Sequence, residues 1–450
     1  MKRKLLYNLM DWKSSPDRKP LLLRGARQVG KTYLLKEFGR MSFSNFHYVN
    51  FETENKFSEI FAASLNPKQI IKDLAIKLEK DINIKTDLLI FDEIQACPRA
   101  ITSLKYFCEE LPDLAVCCAG SLIGVLLSPE PFPVGKVTFL NLFPMTFEEF
   151  LWASDAKTSP ALFDEFVQTK TISATAEEHL NAKLREYSFI GGMPQAVCAH
   201  CQEPGDRAVN KTMLIREIQK TLLKSYYADF AKHSGKINAM HIVSVFENVP
   251  LQLARELDGS VTRYKFQDVV PGKKGFADLA GPIDWLVNAG LIHKVKICNH
   301  PEIPLSAFCK PNAFKLYYFD IGLLGCALNL PMESFFGQEF GMAKGFLAEN
   351  LVCQELIANT DAPLHAWTEQ NSEIEFLLQI KDQVVPVEVK AGNRTRAKSL
   401  QVYLQKYKPK LATMLSHRPP RIDSHRVLQH IPLCLAGVLE NICDQLLFRP

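Results

Sequence analysis

Leu22-Leu23-Arg24-Gly25-Ala26-Arg27-Gln28-Val29-Gly30-Lys31-Thr32 follows an apolar run, Pro20 to Leu23, and precedes a helical pattern from Tyr33 to Phe38. The stretch reads G-x-x-x-x-G-K-T between a strand and a helix, the setting that a phosphate-binding loop requires. Gly25 and Gly30 let the backbone bend so that successive N–H groups point inward, assisted by the positive end of the following helix. In that frame Gly25, Ala26, Arg27, Gln28, Val29, Gly30, Lys31 and Thr32 cradle the phosphates of ATP. Lys31 is placed to reach the β- and γ-phosphates and Thr32 to ligate Mg²⁺.

A second stretch supports the first. Leu88-Leu89-Ile90-Phe91-Asp92-Glu93 is an apolar strand pattern that ends in two acids, 60 residues after Thr32 (92 − 32). Such a strand carries Asp92 to the carboxyl edge of a sheet, where it holds Mg²⁺. Glu93, one residue on, sits where a carboxylate deprotonates or orients an attacking water. The pair points to hydrolysis as well as binding.

Strand patterns at Pro20–Leu23, Phe46–Phe51, Leu88–Phe91, Ala115–Ala119 and Val137–Leu142 alternate with helical ones. That alternation predicts a parallel sheet covered on both faces, with ligand at its carboxyl edge. Ser121, just after the fourth strand, is read either as a γ-phosphate sensor or as a helix N-cap. Lys136 is read as a charge supplied to a neighbouring site or as a surface loop lysine.

At 450 residues the chain is long for one core, so several domains are expected. Hydrophobic residues make up 47% and charged residues 23%, ordinary for a globular protein. The net charge of +4 exerts no global pull toward nucleic acid. No run approaches the length of an apolar membrane span, and Met1-Lys2-Arg3-Lys4 leads into polar sequence, so no membrane partner is expected. Twelve scattered cysteines fit a reducing cytoplasm better than a disulfide scaffold. Cys198-Ala199-His200-Cys201 lacks a second pair to complete a zinc site and is read as structural.

Beyond the first 150 residues the pattern turns helical to about Gly235, broken at Gly191-Gly192-Met193-Pro194. Met213–Lys232 is amphipathic and basic, and its Arg216, Lys220, Lys224 and Lys232 read as a solvated face. Trp285–Ile292, a helix stopped at glycine before a strand, suggests a winged-helix unit in a packing or regulatory role rather than a DNA-reading one. The last third holds Glu349 on a helix, Glu375 on one strand, and Glu388 with Lys390 on another. Glu388 and Lys390 share a face. These are the parts that bind a metal and activate water for phosphodiester cleavage, and equally the parts of a solvated sheet face. From Lys390 to Arg426 ten basic residues, including Arg394 and Arg396, stand against one acid, Asp423. Such a local stripe suits a phosphate backbone, which makes DNA the expected macromolecular partner.

Together with Phe143–Phe150, Gly191–Pro194, Tyr318–Leu323, Gly345–Asn350 and Pro386–Lys390, the phosphate loop and Phe91–Gln95 resemble a large prokaryotic family. Its members are AAA-type P-loop ATPases, related to archaeal and STAND-like ATPases, whose C-terminal domain resembles the PD-(D/E)XK nuclease superfamily. The resemblance implies an α/β multidomain fold. Its parts are a P-loop NTPase parallel sheet (1–150), a helical lid (151–235), a winged-helix-like domain (236–331) and a restriction-endonuclease-like α/β domain (332–450). It implies ATP and Mg²⁺ as cofactors, and Glu349, Glu375 and Glu388 as ligands of a second metal beside Lys390. That superfamily usually has Asp where this chain has Glu375, which puts cleavage in doubt. Two functions follow: an ATPase coupling nucleotide state to a nucleic-acid-facing domain, or a nucleotide switch whose C-terminal domain binds a protein partner. A homo-oligomer fits either.

Overall fold

The computed structural model describes residues 1–120, 132–155, 157–202, 208–234, 236–255, 263–336, 344–390 and 397–448. They form two compact units, one of Met1–Phe143 with Asn288–Gly290, the other of Pro144–Val287 with Leu291–Pro450. Ser121 and the proline-rich segment to Pro131 lie outside the described residues, as do Arg394 and Arg396.

The first unit is built on five strands: β1 (Leu21–Arg24), β2 (Asn45–Asn50), β3 (Asp87–Asp92), β4 (Ala115–Ala119) and β5 (Thr138–Asn141). Their order is β2-β3-β4-β1-β5, and every pairing is parallel. Each of the five strand patterns read from the sequence is present. The leucines of β1 are fully buried, and all six residues of β3 are buried, as expected of strands covered on both faces. Helix α1 (Leu5–Ser14) lies before β1, α2 (Lys31–Ser42) after it, and α3 (Asn55–Ala63), α4 (Pro67–Leu78) and α5 (Pro98–Glu110) complete the layers. Helix α2 turns Leu34, Leu35 and Phe38 inward. One core cluster joins Phe51, Phe57 and Phe61 to Phe91 and Phe107, with ring centroids 5.3–6.1 Å apart.

The second unit starts with helices α6 (Phe147–Ser154), α7 (Thr158–Thr169), α8 (Ala174–Ile190), α9 (Pro194–Cys201), α10 (Ala208–Ser234) and α11 (Lys236–Arg255). Helix α12 (Phe276–Asn288) precedes a seven-stranded sheet ordered β12-β11-β10-β9-β8-β6-β7. Its strands are β6 (Ile292–Cys298), β7 (Cys309–Tyr318), β8 (His365–Glu369), β9 (Ser372–Ile380), β10 (Gln383–Lys390), β11 (Ala412–Ser416) and β12 (Leu428–Pro432). Helices α13 (Ile321–Ala327) and α14 (Lys344–Asn359) lie between β7 and β8.

This arrangement departs from the expected boundaries in two places. Strands β6 and β7, assigned by sequence to a separate winged-helix-like domain, belong to the C-terminal sheet, because β6 pairs in parallel with β8 across Lys296–His365. Residues 144–150 belong with the second unit rather than the first, because their polar groups are bonded within it (see below). Arg216 is also misplaced by the amphipathic reading. Its guanidinium is largely buried, 4.1 Å from the Phe189 ring, and donates to the carbonyl of Leu330. Among the described residues no helix is long and apolar enough to cross a membrane.

Candidate functional site

In the first unit the loop between β1 and α2 is held by local backbone geometry. Gly25 has φ +155°, Gln28 φ +63° and Gly30 φ +96°. A Cβ on Gly25 would lie 2.1 Å from the carbonyl oxygen of Leu142, so only glycine fits between the loop and the end of β5. Arg3 clamps the loop from below, donating to the carbonyls of Val29 at 2.9 Å and Phe143 at 2.6 Å. No sequence signal assigned Arg3 this position.

Lys31 is buried, and its ammonium donates to the carbonyls of Gly25 and Ala26, both at 2.9 Å. Burial lowers its pKa to about 8, against the opposing pull of Glu93 and Asp92. A buried, costly cation inside an N–H-lined loop is poised for an anion, whose charge would restore the ordinary value.

The Thr32 hydroxyl donates to Asp92 Oδ2 at 2.8 Å. The two sequence-predicted Mg²⁺ positions, 60 residues apart, are thus in direct contact. Their oxygens are of the hard type that Mg²⁺ takes, so the donor set fits the ion. Asp92 also accepts from the Tyr48 hydroxyl at 2.7 Å, and Asn50 donates to that hydroxyl at 3.1 Å. Tyr48 and Asn50 come from β2 and orient the carboxylate from the side; sequence reading missed both. Glu93 occupies the left-handed region at φ +51° and accepts from the Gln95 side-chain amide. A non-glycine residue held there turns sharply out of the strand, so its carboxylate leaves the line of β3. Strand β4 ends beside β1, with Gly120 N–H donating to the Leu23 carbonyl at 3.4 Å. Lys136 is ion-paired with Glu109 at 2.9 Å, and both are about two-fifths exposed, as a surface lysine would be.

In the second unit Glu349, Glu375, Glu388 and Lys390 gather in one cleft. Lys390 Nζ lies 2.6 Å from Glu388 Oε1 and 3.6 Å from Glu375 Oε1. Glu375 also accepts from the Val389 N–H at 3.1 Å. Glu388 is 1% exposed and Glu375 7%, so this is not a solvated sheet face. Burial, then the charge of Glu388, pushes Glu375 well above the usual carboxylate range; burial also raises Glu388. Lys390 is lowered by burial, but Glu375 and Glu388 push harder, so its net shift is upward. Two positions not found by sequence close the cleft: Lys315 contacts Glu373 and lies 3.5 Å from Glu349, and the Tyr317 hydroxyl donates to Glu349 at 3.2 Å. Both stand on β7. Among the described residues no hydrogen-bond donor reaches the buried Glu388 Oε2. Among the described residues no three His, Cys, Asp or Glu side chains converge on one point, and lysine ammonium groups stand between the carboxylates. Cys198 and Cys201 are exposed free thiols.

The remaining family-like segments meet in a buried polar hub. Thr146 caps α6 in a reciprocal capping box with Glu149. Phe147 N–H donates to Glu355 at 2.8 Å, and the Tyr187 hydroxyl contacts Met145 O at 2.6 Å and Glu355 at 3.1 Å. Gln354 donates to that hydroxyl and accepts from Ile321 N–H. Asp320, fully buried, accepts from Gly192 N–H at 2.6 Å and from Leu323 N–H at 2.9 Å. A Cβ on Gly192 would sit 2.1 Å from Met145 O, which accounts for the second glycine of Gly191-Gly192-Met193-Pro194. These segments hold helices of the second unit in register.

Comparison with known proteins gives three matched regions, the first of which runs past Phe143 to residue 151. Residues 17–151 match the family model described as an AAA domain. Residues 181–334 and 344–433 match two domains of unknown function, DUF8612 and DUF4143. Among solved structures, the chain is similar to the Walker-type ATPase PABY2304 of Pyrococcus abyssi, at 16% identity and TM-score 0.43, over 73% of this chain and 95% of that one. It is also similar to PCH-2 of C. elegans, at 13% identity and TM-score 0.31, over 49% and 69%. A third is the Aeropyrum pernix ORC1 protein solved in complex with DNA, at 12% identity and TM-score 0.27, over 74% and 92%. No curated protein matches the chain. With its all-parallel sheet, glycine-bounded loop and matching family model, the first unit is an ATP-binding P-loop domain of the AAA type.

Proposed function

We propose that this protein is a Mg²⁺-dependent ATPase whose nucleotide state is coupled to a nucleic-acid-facing C-terminal domain. The observation that carries the ATPase half is the 2.8 Å contact between Thr32 and Asp92 beside the buried Lys31. In this reading the N–H groups of residues 25–32 bind the phosphates and Lys31 neutralises their charge. Thr32 and Asp92 hold Mg²⁺, which supplies charge neutralisation on the phosphoryl oxygens when bound. Glu93 takes the proton of the attacking water. Ser121 remains the candidate phosphate sensor.

The nucleic-acid half rests on the basic stripe. Lys398, Lys408, Lys410, Arg418 and Arg421 are exposed, whereas Lys406 pairs with Glu369 and Arg426 with Asp423 at 3.4 Å. The lid, winged-helix-like and nuclease-like segments belong to this proposal, with β6 and β7 counted in the C-terminal sheet. The cluster of Glu349, Glu375, Glu388 and Lys390 is assigned to this domain without a cleavage step.

Steady-state ATP turnover with Mg²⁺, measured with and without duplex and single-stranded DNA across a salt series, tests the proposal. DNA is expected to stimulate turnover, and the stimulation to fall steeply as salt rises, because phosphate contacts release counterions. Turnover indifferent to DNA at low salt would overturn the coupling and favour a nucleotide switch that binds a protein partner.

A further inference from the structure

A cavity of about 550 Å³ lies in the first unit along strand β2. It is lined by the consecutive residues Phe43–Tyr48, by Gly39 and Arg40 near the end of α2, and by Leu78 and Lys80 at the end of α4. Binding clefts fall in the same range, about 300–1,000 Å³. Side chains alternate between the two faces of a strand, so a cavity on one face is lined by every second residue. Six consecutive residues line this one, and a helix flanks β2 on each face. A Cβ on Gly39 of α2 would lie 2.9 Å from Phe46, while Val49, on the opposite face, shares a core cluster with Ile70, Ile71 and Leu74 of α4. The cavity therefore lies against the edge of the strand, between two helix ends.

That edge is open. Strand β2 ends the sheet order, so β3 pairs with one side of it and, among the described residues, no strand pairs with the other. Phe51 N–H donates to the carbonyl of Asp92, the residue set against Asn50. Main-chain groups alternate in direction along a strand, so this bond turns those of His47 and Val49 toward β3 and those of Phe46 and Tyr48 outward. Outward N–H and C=O groups are a template for another strand. The charged side chains of the lining, Arg40 and Lys80, are both basic and exposed, and Arg40 shares only a 3.4 Å surface pair with Glu37. Phe43, Phe46 and Tyr48 add half-buried rings. His47, also in the lining, is 4% exposed; its Nε2 lies 2.9 Å from Asp87, and among the described residues no partner reaches its Nδ1.

We propose that the open edge of β2 binds an extended, acidic peptide segment of a partner protein, which adds to the sheet as a further strand. Main-chain hydrogen bonds to Phe46 and Tyr48 supply the affinity, and Arg40 and Lys80 set the choice of charge. A second copy of β2 suits the edge less well, because it brings the same two cations with it. The assignment stands apart from the nucleotide reading.

Short peptides with blocked ends are the probes: one alternating valine with glutamate, one alternating valine with lysine, and the glutamate peptide N-methylated on alternate residues in either register. Binding to the full chain is followed by fluorescence anisotropy, and amide hydrogen exchange of residues 43–50 by mass spectrometry. The glutamate peptide is expected to bind and to slow exchange in that segment, and N-methylation in one register to abolish both effects. Arg40→Glu combined with Lys80→Glu, at exposed positions, should weaken binding by about 2- to 30-fold, the combined worth of two surface ion pairs, with an unchanged circular dichroism spectrum. Equal binding of the lysine peptide, or affinity that survives N-methylation in both registers, would overturn the proposal. So would binding without protection of residues 43–50, or no binding by any of the peptides at low salt. Protection that rises with protein concentration alone would give the edge to a second copy and overturn the peptide assignment.

Discussion

Lys31→Ala is expected to abolish tight ATP binding, while Glu93→Gln keeps binding and slows hydrolysis by roughly 10²–10⁴-fold, the range for losing a general base. The two substitutions separate because the side chains differ in placement. The Lys31 ammonium lies inside the loop on the carbonyls of Gly25 and Ala26, so its charge reaches the phosphates in the ground state. Removing it takes away the cation buried inside the loop. In the proposed reading Glu93, turned from the strand end by its left-handed backbone, acts on the attacking water, while its charge is also felt by Lys31. Glutamine has the same shape and keeps a polar contact with Gln95, so ground-state binding survives. Equilibrium binding of a fluorescent ATP analogue and single-turnover hydrolysis on both variants give the comparison. Parallel loss of binding would show that Glu93 holds the phosphates or the ion, and that its assignment as base is wrong.

The phosphate site was readable because its parts are local. Eleven consecutive residues supply strand end, loop and helix start, and a single apolar run delivers Asp92. What was missed depends on pairing at a distance. Tyr48 and Asn50 reach Asp92 only because β2 lies beside β3 in the register that sets Asn50 against Asp92. Along β2 buried His47 and Val49 alternate with half-buried Phe46, Tyr48 and Asn50, a pattern that does not single out the two that reach Asp92. In the second unit Lys315 and Tyr317 enter the carboxylate cleft from β7, a strand that the sequence assigned to another domain. The parallel pairing of β6 with β8 joins residues nearly 70 positions apart, Lys296 and His365, and no local pattern announces it. The same distance hid the hub. Gly191-Gly192 and Tyr318–Leu323 stood out as motifs in the chain, but their meaning is a bond from Asp320 to Gly192 across 128 positions.

That bond supports the largest expected effect on stability. Asp320→Ala is expected to destabilise the second unit by roughly 3–5 kcal/mol, from two sources: a lost helix cap and buried N–H groups left unpaired. Asp320 caps α13 through Leu323 N–H and at the same time satisfies Gly192 N–H, and no water-facing route replaces either in a fully buried site. Asparagine would be a partial substitute, since one oxygen can serve one of the two donors while its amide nitrogen opposes the other. The dependence on pH has a defined sign. Burial raises the Asp320 carboxyl to about 6, against the pull of the backbone N–H groups of Gly192, Leu323 and Gly322. A folded-state pKa above the unfolded one contributes stability that is full below about 4 and is lost as pH rises through about 6. The margin between the unaltered chain and Asp320→Ala should therefore narrow between pH 4 and pH 7 without closing, because the two hydrogen bonds remain. Denaturant unfolding followed by near-UV circular dichroism across that range, with ATP affinity as the control for the first unit, makes the measurement. If Asp320→Ala left the unfolding midpoint unchanged and altered ATP turnover instead, the segment would be part of the catalytic machinery rather than the frame that holds the helices.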